Sequence, residues 1–141
     1  MSAEDAAALR ALAERWMTEL WQRGDAGAVA RLHAPGFVDR SPAGRSTDSA
    51  AYARSIEELF AAFPDFRAET EDLVVDAPRG RVAIRWTATG THSGRPFLGQ
   101  APSGRRIRFT GIEILEIAGG RVIARWGEWD GLDLLAQLRA D

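Results

Sequence analysis

Arg106-Ile-Arg-Phe-Thr-Gly-Ile-Glu-Ile-Leu-Glu-Ile117 and Arg121-Val-Ile-Ala-Arg-Trp-Gly-Glu-Trp-Asp130, joined across Gly119-Gly120, set the architecture of this chain. Both are rich in β-branched and aromatic residues, and the Gly-Gly pair is a tight-turn signal, so they read as a β-hairpin. Counting by twos puts Ile107, Phe109, Gly111, Glu113, Leu115 and Ile117 on one face of the first strand. The same count puts Val122, Ala124, Trp126, Glu128 and Asp130 on one face of the second. A carboxylate in such an apolar wall is costly to bury without a partner or a task. An apolar, tryptophan-bearing wall with acids in it is what a small-molecule pocket with acid/base chemistry needs.

Upstream of the hairpin the periodicity predicts two more long strands, Arg67 to Asp76 and Arg81 to Thr91, turning at Pro78-Arg-Gly80. A loop rich in Gly, Pro and Ser runs from His92 to Arg105. The first half reads as helices. Leu9, Leu12, Trp16 and Leu20 recur at helical spacing between Ala3 and about Arg23, where Gly24 stops the run. A short helix capped by Asp25 extends to about Leu32 and ends at Pro35-Gly36, and Phe37-Val38-Asp39 is a short strand. After a turn at Ser41-Pro-Ala-Gly44, a third helix is predicted from about Asp48 to Phe63, capped by Thr47 or Asp48 and ended by Pro64. Leu132 to Leu138 form a last short helix.

Helices followed by a run of strands give an α+β architecture. The expected form is a cone-shaped half-open barrel, a curved antiparallel sheet wrapped around the N-terminal helices, with an apolar pocket inside the cone. With 141 residues and 45% hydrophobic content, one domain spanning residues 1 to 141 can bury a core. Ile112, Ile114 and Ile123 fall on the outer face of the sheet, and a second copy of the chain is the cheapest cover, so a homodimer is expected. A net charge of -2, with basic residues spread out, points away from nucleic acid and membrane surfaces. The absence of cysteine excludes disulfides and thiolate chemistry, and fits a cytoplasmic setting. The acidic start, Met1-Ser-Ala-Glu-Asp, does not read as a signal peptide, and no stretch reaches the roughly 18 apolar residues of a membrane span.

Several stretches resemble the SnoaL-like polyketide cyclases: Phe63-Pro-Asp-Phe66, Val82-Ala-Ile-Arg-Trp-Thr-Ala-Thr-Gly-Thr-His-Ser-Gly94 and Pro102-Ser-Gly-Arg105. Gly119-Gly-Arg-Val-Ile-Ala-Arg-Trp126 and Trp129-Asp-Gly-Leu-Asp-Leu-Leu-Ala-Gln-Leu138 do so as well. The resemblance covers nearly the whole chain, most closely from Phe63 onward. It implies the nuclear-transport-factor-2-like fold, a cone-shaped α+β barrel. That superfamily also holds ketosteroid isomerases, epoxide hydrolases, dehydratases and non-catalytic ligand-binding domains, so the fold alone does not name a reaction. In the cyclases an Asp base works with a His inside the cone, whereas the hairpin strands here hold no histidine. Glu113 lies on the strand where the family tends to place a polar pocket residue, and position 127, often acidic in relatives, is glycine. The Arg and two Asp that surround a water in the epoxide hydrolases find no clear match.

The residues themselves yield a short set of candidates. Glu113 is the first choice for general acid/base work, its pKa raised by desolvation. Asp130 and Glu128 are further acids at the expected mouth, with helix capping as the other reading for Asp130. His92 can shuttle a proton near neutral pH. Trp16, Tyr52, Trp86, Phe109 and Trp126 are expected to contact substrate, with core packing as the alternative for the tryptophans, and Asp39 is a secondary pocket candidate. His33 reads as structural or exposed, and Arg85, Arg105 and Arg108 as solvated. No His or Cys pattern suits a metal, and no cofactor is expected. The expected activity is a cofactor-independent cyclisation or isomerisation of a small hydrophobic carbonyl compound. The alternatives are a non-catalytic binding domain and epoxide hydrolysis.

Overall fold

The computed structural model describes residues 3 to 140, with side chains from Asp5 onward; the Met1-Ser2 start lies outside the described residues. In chain order the elements are α1 (Ala3–Trp21), α2 (Ala28–Leu32), β1 (His33–Asp39), α3 (Ser49–Ala62), β2 (Arg67–Asp76), β3 (Arg81–Thr91), β4 (Arg106–Ala118), β5 (Arg121–Trp129) and α4 (Gly131–Arg139). The strands form one open sheet in the order β1-β5-β4-β3-β2. The four long strands are antiparallel, as expected, but β1 joins parallel to β5, so the sheet is mixed. Pro35 lies within β1 because β1 is an edge strand, where a missing N–H breaks no ladder.

Several boundaries have a local cause, whereas α2, expected to start from Asp25, has Gly27 at its N-cap and no side-chain capping bond. The Asp48 carboxylate accepts from the Ala51 N–H at 2.8 Å and starts α3. Asp130 accepts from the Asp133 N–H at 3.0 Å and starts α4. The hairpin turns through Gly119 (φ 60°) and Gly120 (φ 73°), the left-handed pair that a two-residue connection requires. The α3 C-terminus is closed by the 92–105 loop, whose Gly94 and Arg95 N–H groups donate to the Ala62 and Ala61 carbonyls. Gly94 has to be glycine there, since a Cβ would sit 1.9 Å from the Ala61 oxygen.

The core lies between the concave face of the sheet and the helices. Trp16, Met17 and Leu20 of α1 and Ile56 of α3 are fully buried against Val82, Ile84, Leu115 and Ile107 of the sheet. The convex face carries apolar side chains in the open: Val74 and Ile112 are 60% and 53% exposed, and Ile114 is 37% exposed. Among the described residues no helix is long and apolar enough to cross a membrane.

One irregularity governs what faces the cone. Ile117 pairs with Val122, yet Glu116 pairs with Ala124, so Ile123 is an extra residue in β5. Such a bulge reverses which side of the sheet the following residues face. Val122 points inward, and beyond the bulge Arg125 and Gly127 are the buried inward residues, paired with Leu115 and Glu113. Trp126 and Glu128 are turned to the convex face beside Ile114 and Ile112.

Candidate active site

A cavity of about 300 Å³ opens between α1 and α3 on one side and β3, β4 and β5 on the other. Seven aromatic side chains, Trp21, Tyr52, Phe66, Trp86, Phe97, Phe109 and Trp129, share its wall. They brace one another: Trp86 meets Phe109 edge to face and Trp129 meets it tilted, with ring centroids 5.5 and 5.6 Å away. Trp86 lies across Gly111, its cross-strand neighbour, where a Cβ would come 2.2 Å from the indole. The mouth is edged by Ala43 and Leu98, two non-glycine residues held at φ 51° and 49°, a left-handed conformation that costs of order 1 kcal/mol each.

A chain of charges crosses the polar end. Arg125 donates from Nε and Nη2 to Glu113 Oε1, at 3.1 and 2.7 Å. From Nη1 it donates to Asp39 Oδ1 at 3.0 Å and to the Ser41 carbonyl at 3.2 Å. Asp39 takes a second cation, Arg45, at 2.9 Å through Oδ2. The Tyr52 ring lies 5.2 Å below the Arg125 guanidinium. The Asp39, Glu113 and Arg125 side chains are 1%, 5% and 7% exposed, so this is a desolvated network. Burial pushes the Glu113 carboxyl above its ordinary value, with Arg125 and a hydrogen bond from Trp86 pulling the other way. The Arg125 guanidinium is held above its own, because the neighbouring carboxylates outweigh its burial.

Tyr52 is set by its neighbours. Trp21 Nε1 donates to the phenol oxygen at 3.0 Å. An indole can only donate, so the phenol's own hydrogen is left for a ligand in the cavity. Burial raises the Tyr52 pKa and keeps that hydrogen in place.

Of the residues expected from sequence, Glu113, Tyr52, Trp86 and Phe109 line the cavity. The others do not. Trp16 is fully buried behind it, stacked at 5.8 Å on Tyr52 and donating to His33. Trp126 is on the convex face with Arg81 5.0 Å above its ring, because of the β5 bulge. Glu128, turned outward by the same bulge, is exposed. Asp130 is also exposed and spends its carboxylate on the α4 cap. His92 is wholly buried beneath the 92–105 loop, its ring 5.1 Å from Phe63 and its Nε2 at 3.0 Å from the Arg95 carbonyl, which makes it a loop-fixing residue.

Arg125 was hidden by period-two counting, which faces it outward. The signal that could have found it is Gly127. A Cβ there would fall 1.7 Å from Arg125 Nη2 and 2.3 Å from Glu113 Oε2. A strand glycine opposite a carboxylate marks room left for a second side chain. The same correction supplies an Arg held between two carboxylates, Asp39 and Glu113, for which the linear sequence offered no match. Among the described residues no group of three or more His, Cys, Asp or Glu is gathered as a metal would need.

A family profile described as SnoaL-like polyketide cyclase matches residues 11–138. Solved structures repeat the fold. AclR from Streptomyces galilaeus, a candidate hydroxylase, is 29% identical, with 94% of this chain and 82% of that one covered at a TM-score of 0.83. IdmH from Streptomyces antibioticus, a candidate polyketide cyclase, is 28% identical, with 94% and 99% covered at 0.80. A candidate polyketide cyclase from Acidithiobacillus ferrooxidans is 27% identical, with 99% and 98% covered at 0.81. No protein of curated function matches the chain.

Proposed function

The chain belongs to the SnoaL-like polyketide cyclase family, and we propose that within it this protein is a cofactor-independent enzyme that moves a proton next to a carbonyl group of a small hydrophobic compound, leading to ring closure or isomerisation. The observation that carries this reading is Glu113: a buried carboxyl on the wall of an aromatic cavity, with its pKa raised by desolvation. A base of raised pKa is better matched to a weakly acidic C–H at neutral pH. Both Arg125 bonds fall on Oε1, so Oε2 keeps an acceptor site even with Trp86 donating to the carboxylate. Tyr52 donates its free hydrogen to the carbonyl oxygen as negative charge develops there, and the aromatic wall keeps water away from both. AclR and IdmH, similar in fold and sequence, are described as candidates for hydroxylation and cyclisation, and support a small-molecule enzyme.

The test is exchange of the α-hydrogens of 2-tetralone in deuterated water, followed by NMR. Wild-type protein is expected to accelerate it, Glu113→Gln to lose about 100-fold or more of that acceleration, and Asp130→Asn to match wild type. Equal rates for wild type and Glu113→Gln would remove Glu113 as the base. A second reading, addition of water to an epoxide, is favoured by Arg125 lying between two acids, Asp39 and Glu113, of which Glu113 is on the cavity wall. Oxygen-18 water separates the two, since only the second reading places a labelled, non-exchanging hydroxyl group on the product.

The convex sheet face supports a homodimer, which would cover Val74, Ile112 and Ile114. Sedimentation at micromolar concentration is expected to give a dimer, and Ile112→Glu a monomer. A wild-type monomer would rule the dimer out.

A further inference from the structure

The cavity holds one cation that its own acids do not saturate. Arg125 has four of its five N–H donors engaged, on Glu113, Asp39 and the Ser41 carbonyl, and its side chain is 7% exposed, which leaves it little to offer a ligand. Arg45 differs. Only its Nη2 finds an acceptor, Asp39 Oδ2, while Nε is shielded from water with no partner. Its side chain lines the cavity and is 30% exposed. The loop that presents it is firmly held: Ser41 N–H bonds Asp39 Oδ1, the Gly127 N–H bonds Ser41 Oγ, and Asp39 N–H bonds the Thr47 carbonyl. Among the described residues the other charged group at the opening is Glu58, which is exposed on α3 and screened by water. Arg45 and Glu113 stand at the two ends of the chain Arg45–Asp39–Arg125–Glu113. Both line the same cavity, so a ligand anchored at the first shares it with the second.

We propose that Arg45 anchors a carboxylate of the substrate, so that the compounds this cavity selects are flat aromatic acids: the rings pack against Trp86, Phe109 and Trp129, and the acid group accepts from the guanidinium's Nη donors that Asp39 leaves free. The proposal rests on the reading of the cavity as a small-molecule site and names the class of molecule it takes. An oxyanion gains more from a guanidinium than a neutral amide of the same shape does.

The test compares 2-naphthoate with 2-naphthamide by quenching of tryptophan fluorescence, since Trp21, Trp86 and Trp129 line the cavity. Wild-type protein is expected to bind the acid roughly tenfold more tightly than the amide. Arg45→Gln should bind the amide as before and lose the preference; Arg45→Lys should keep the charge but only part of the preference. If Arg45→Gln does not fold, as circular dichroism would reveal, the drop from wild type to Arg45→Lys decides. Equal affinities in wild type, an undiminished preference in both variants, or binding of neither probe would overturn the proposal. Glu113→Gln is expected to keep the acid preference while losing exchange. A preference for the acid without any exchange in wild type would sink the proposed chemistry and leave the Arg45 anchor standing.

Discussion

Arg125→Met is expected to destabilise the protein by about 3–5 kcal/mol at neutral pH, and the loss should shrink as the solution is acidified. Met nearly preserves the volume but removes the positive charge that two buried carboxylates share, Glu113 at 2.7 Å and Asp39 at 3.0 Å. Leaving a buried carboxylate ionised without its partner costs far more than losing the pair as a whole, because the desolvation already incurred is no longer offset. In the variant Glu113, already raised by burial, loses the cation that opposes that rise and should titrate higher still. A group whose folded pKa is raised contributes stability at low pH and loses it as pH climbs through the folded pKa, so the variant should recover on acidification. Urea unfolding at about pH 7.5 and about pH 5 measures this. Arg125→Met/Glu113→Gln should recover part of the loss, since Asp39 still has Arg45 at 2.9 Å. A loss below about 1 kcal/mol, or one that does not change with pH, would show that the network carries little of the stability.

This network also marks the limit of what the linear sequence made legible. Element type and order were readable, because the helical spacing of Leu9, Leu12, Trp16 and Leu20 and the alternation in β3 and β4 are strong signals with few competitors. In β4 the alternation is unbroken, and Glu113 and Phe109 face the cavity as counted. In β5 one extra residue at Ile123 shifts the phase, and a bulge between two β-branched or apolar residues leaves no local trace. The outward frame for Arg125 was also the chemically cheaper one: a guanidinium in solvent needs no partner, whereas a buried one needs Asp39, which lies 86 positions away. The parallel pairing of β1 was invisible for a related reason, since it joins the first strand to the last. Residues such as Trp21, Phe97 and Trp129 enter the cavity through tertiary placement alone, and only Gly111 and Gly127 hinted where large side chains had to fit.

Between about pH 6.5 and about pH 4 the protein is expected to lose about 3 kcal/mol of stability through one residue, His33. This histidine begins β1, is 2% exposed, and stacks on Phe37 with ring centroids 3.8 Å apart. Trp16 Nε1 donates to its Nε2 at 3.0 Å, which requires a lone pair there, so the hydrogen sits on Nδ1 and points to Ser49 Oγ at 3.1 Å. Protonation would set two N–H donors against each other at Nε2. Burial, followed by the positive charge of Arg125, lowers the pKa to about 4, with Asp39 opposing. Between the unfolded and folded values the unfolded chain binds a proton that the native state refuses, so stability falls as pH drops through that window and levels off below it. Glu113, raised in the native state, titrates with the opposite sign, so the His33 contribution is best isolated by difference. His33→Gln offers Trp16 an acceptor and Ser49 a donor without titrating, and the gap in unfolding free energy between wild type and variant should close by about 3 kcal/mol on acidification, if wild type is the more stable at neutral pH. The chain has two histidines, so an NMR pH titration resolves His33 directly and should place its midpoint near the lowered value, about 4. A midpoint at the ordinary histidine value, or unfolding curves that stay parallel with pH, would mean that His33 accepts a proton without disturbing the Trp16 bond.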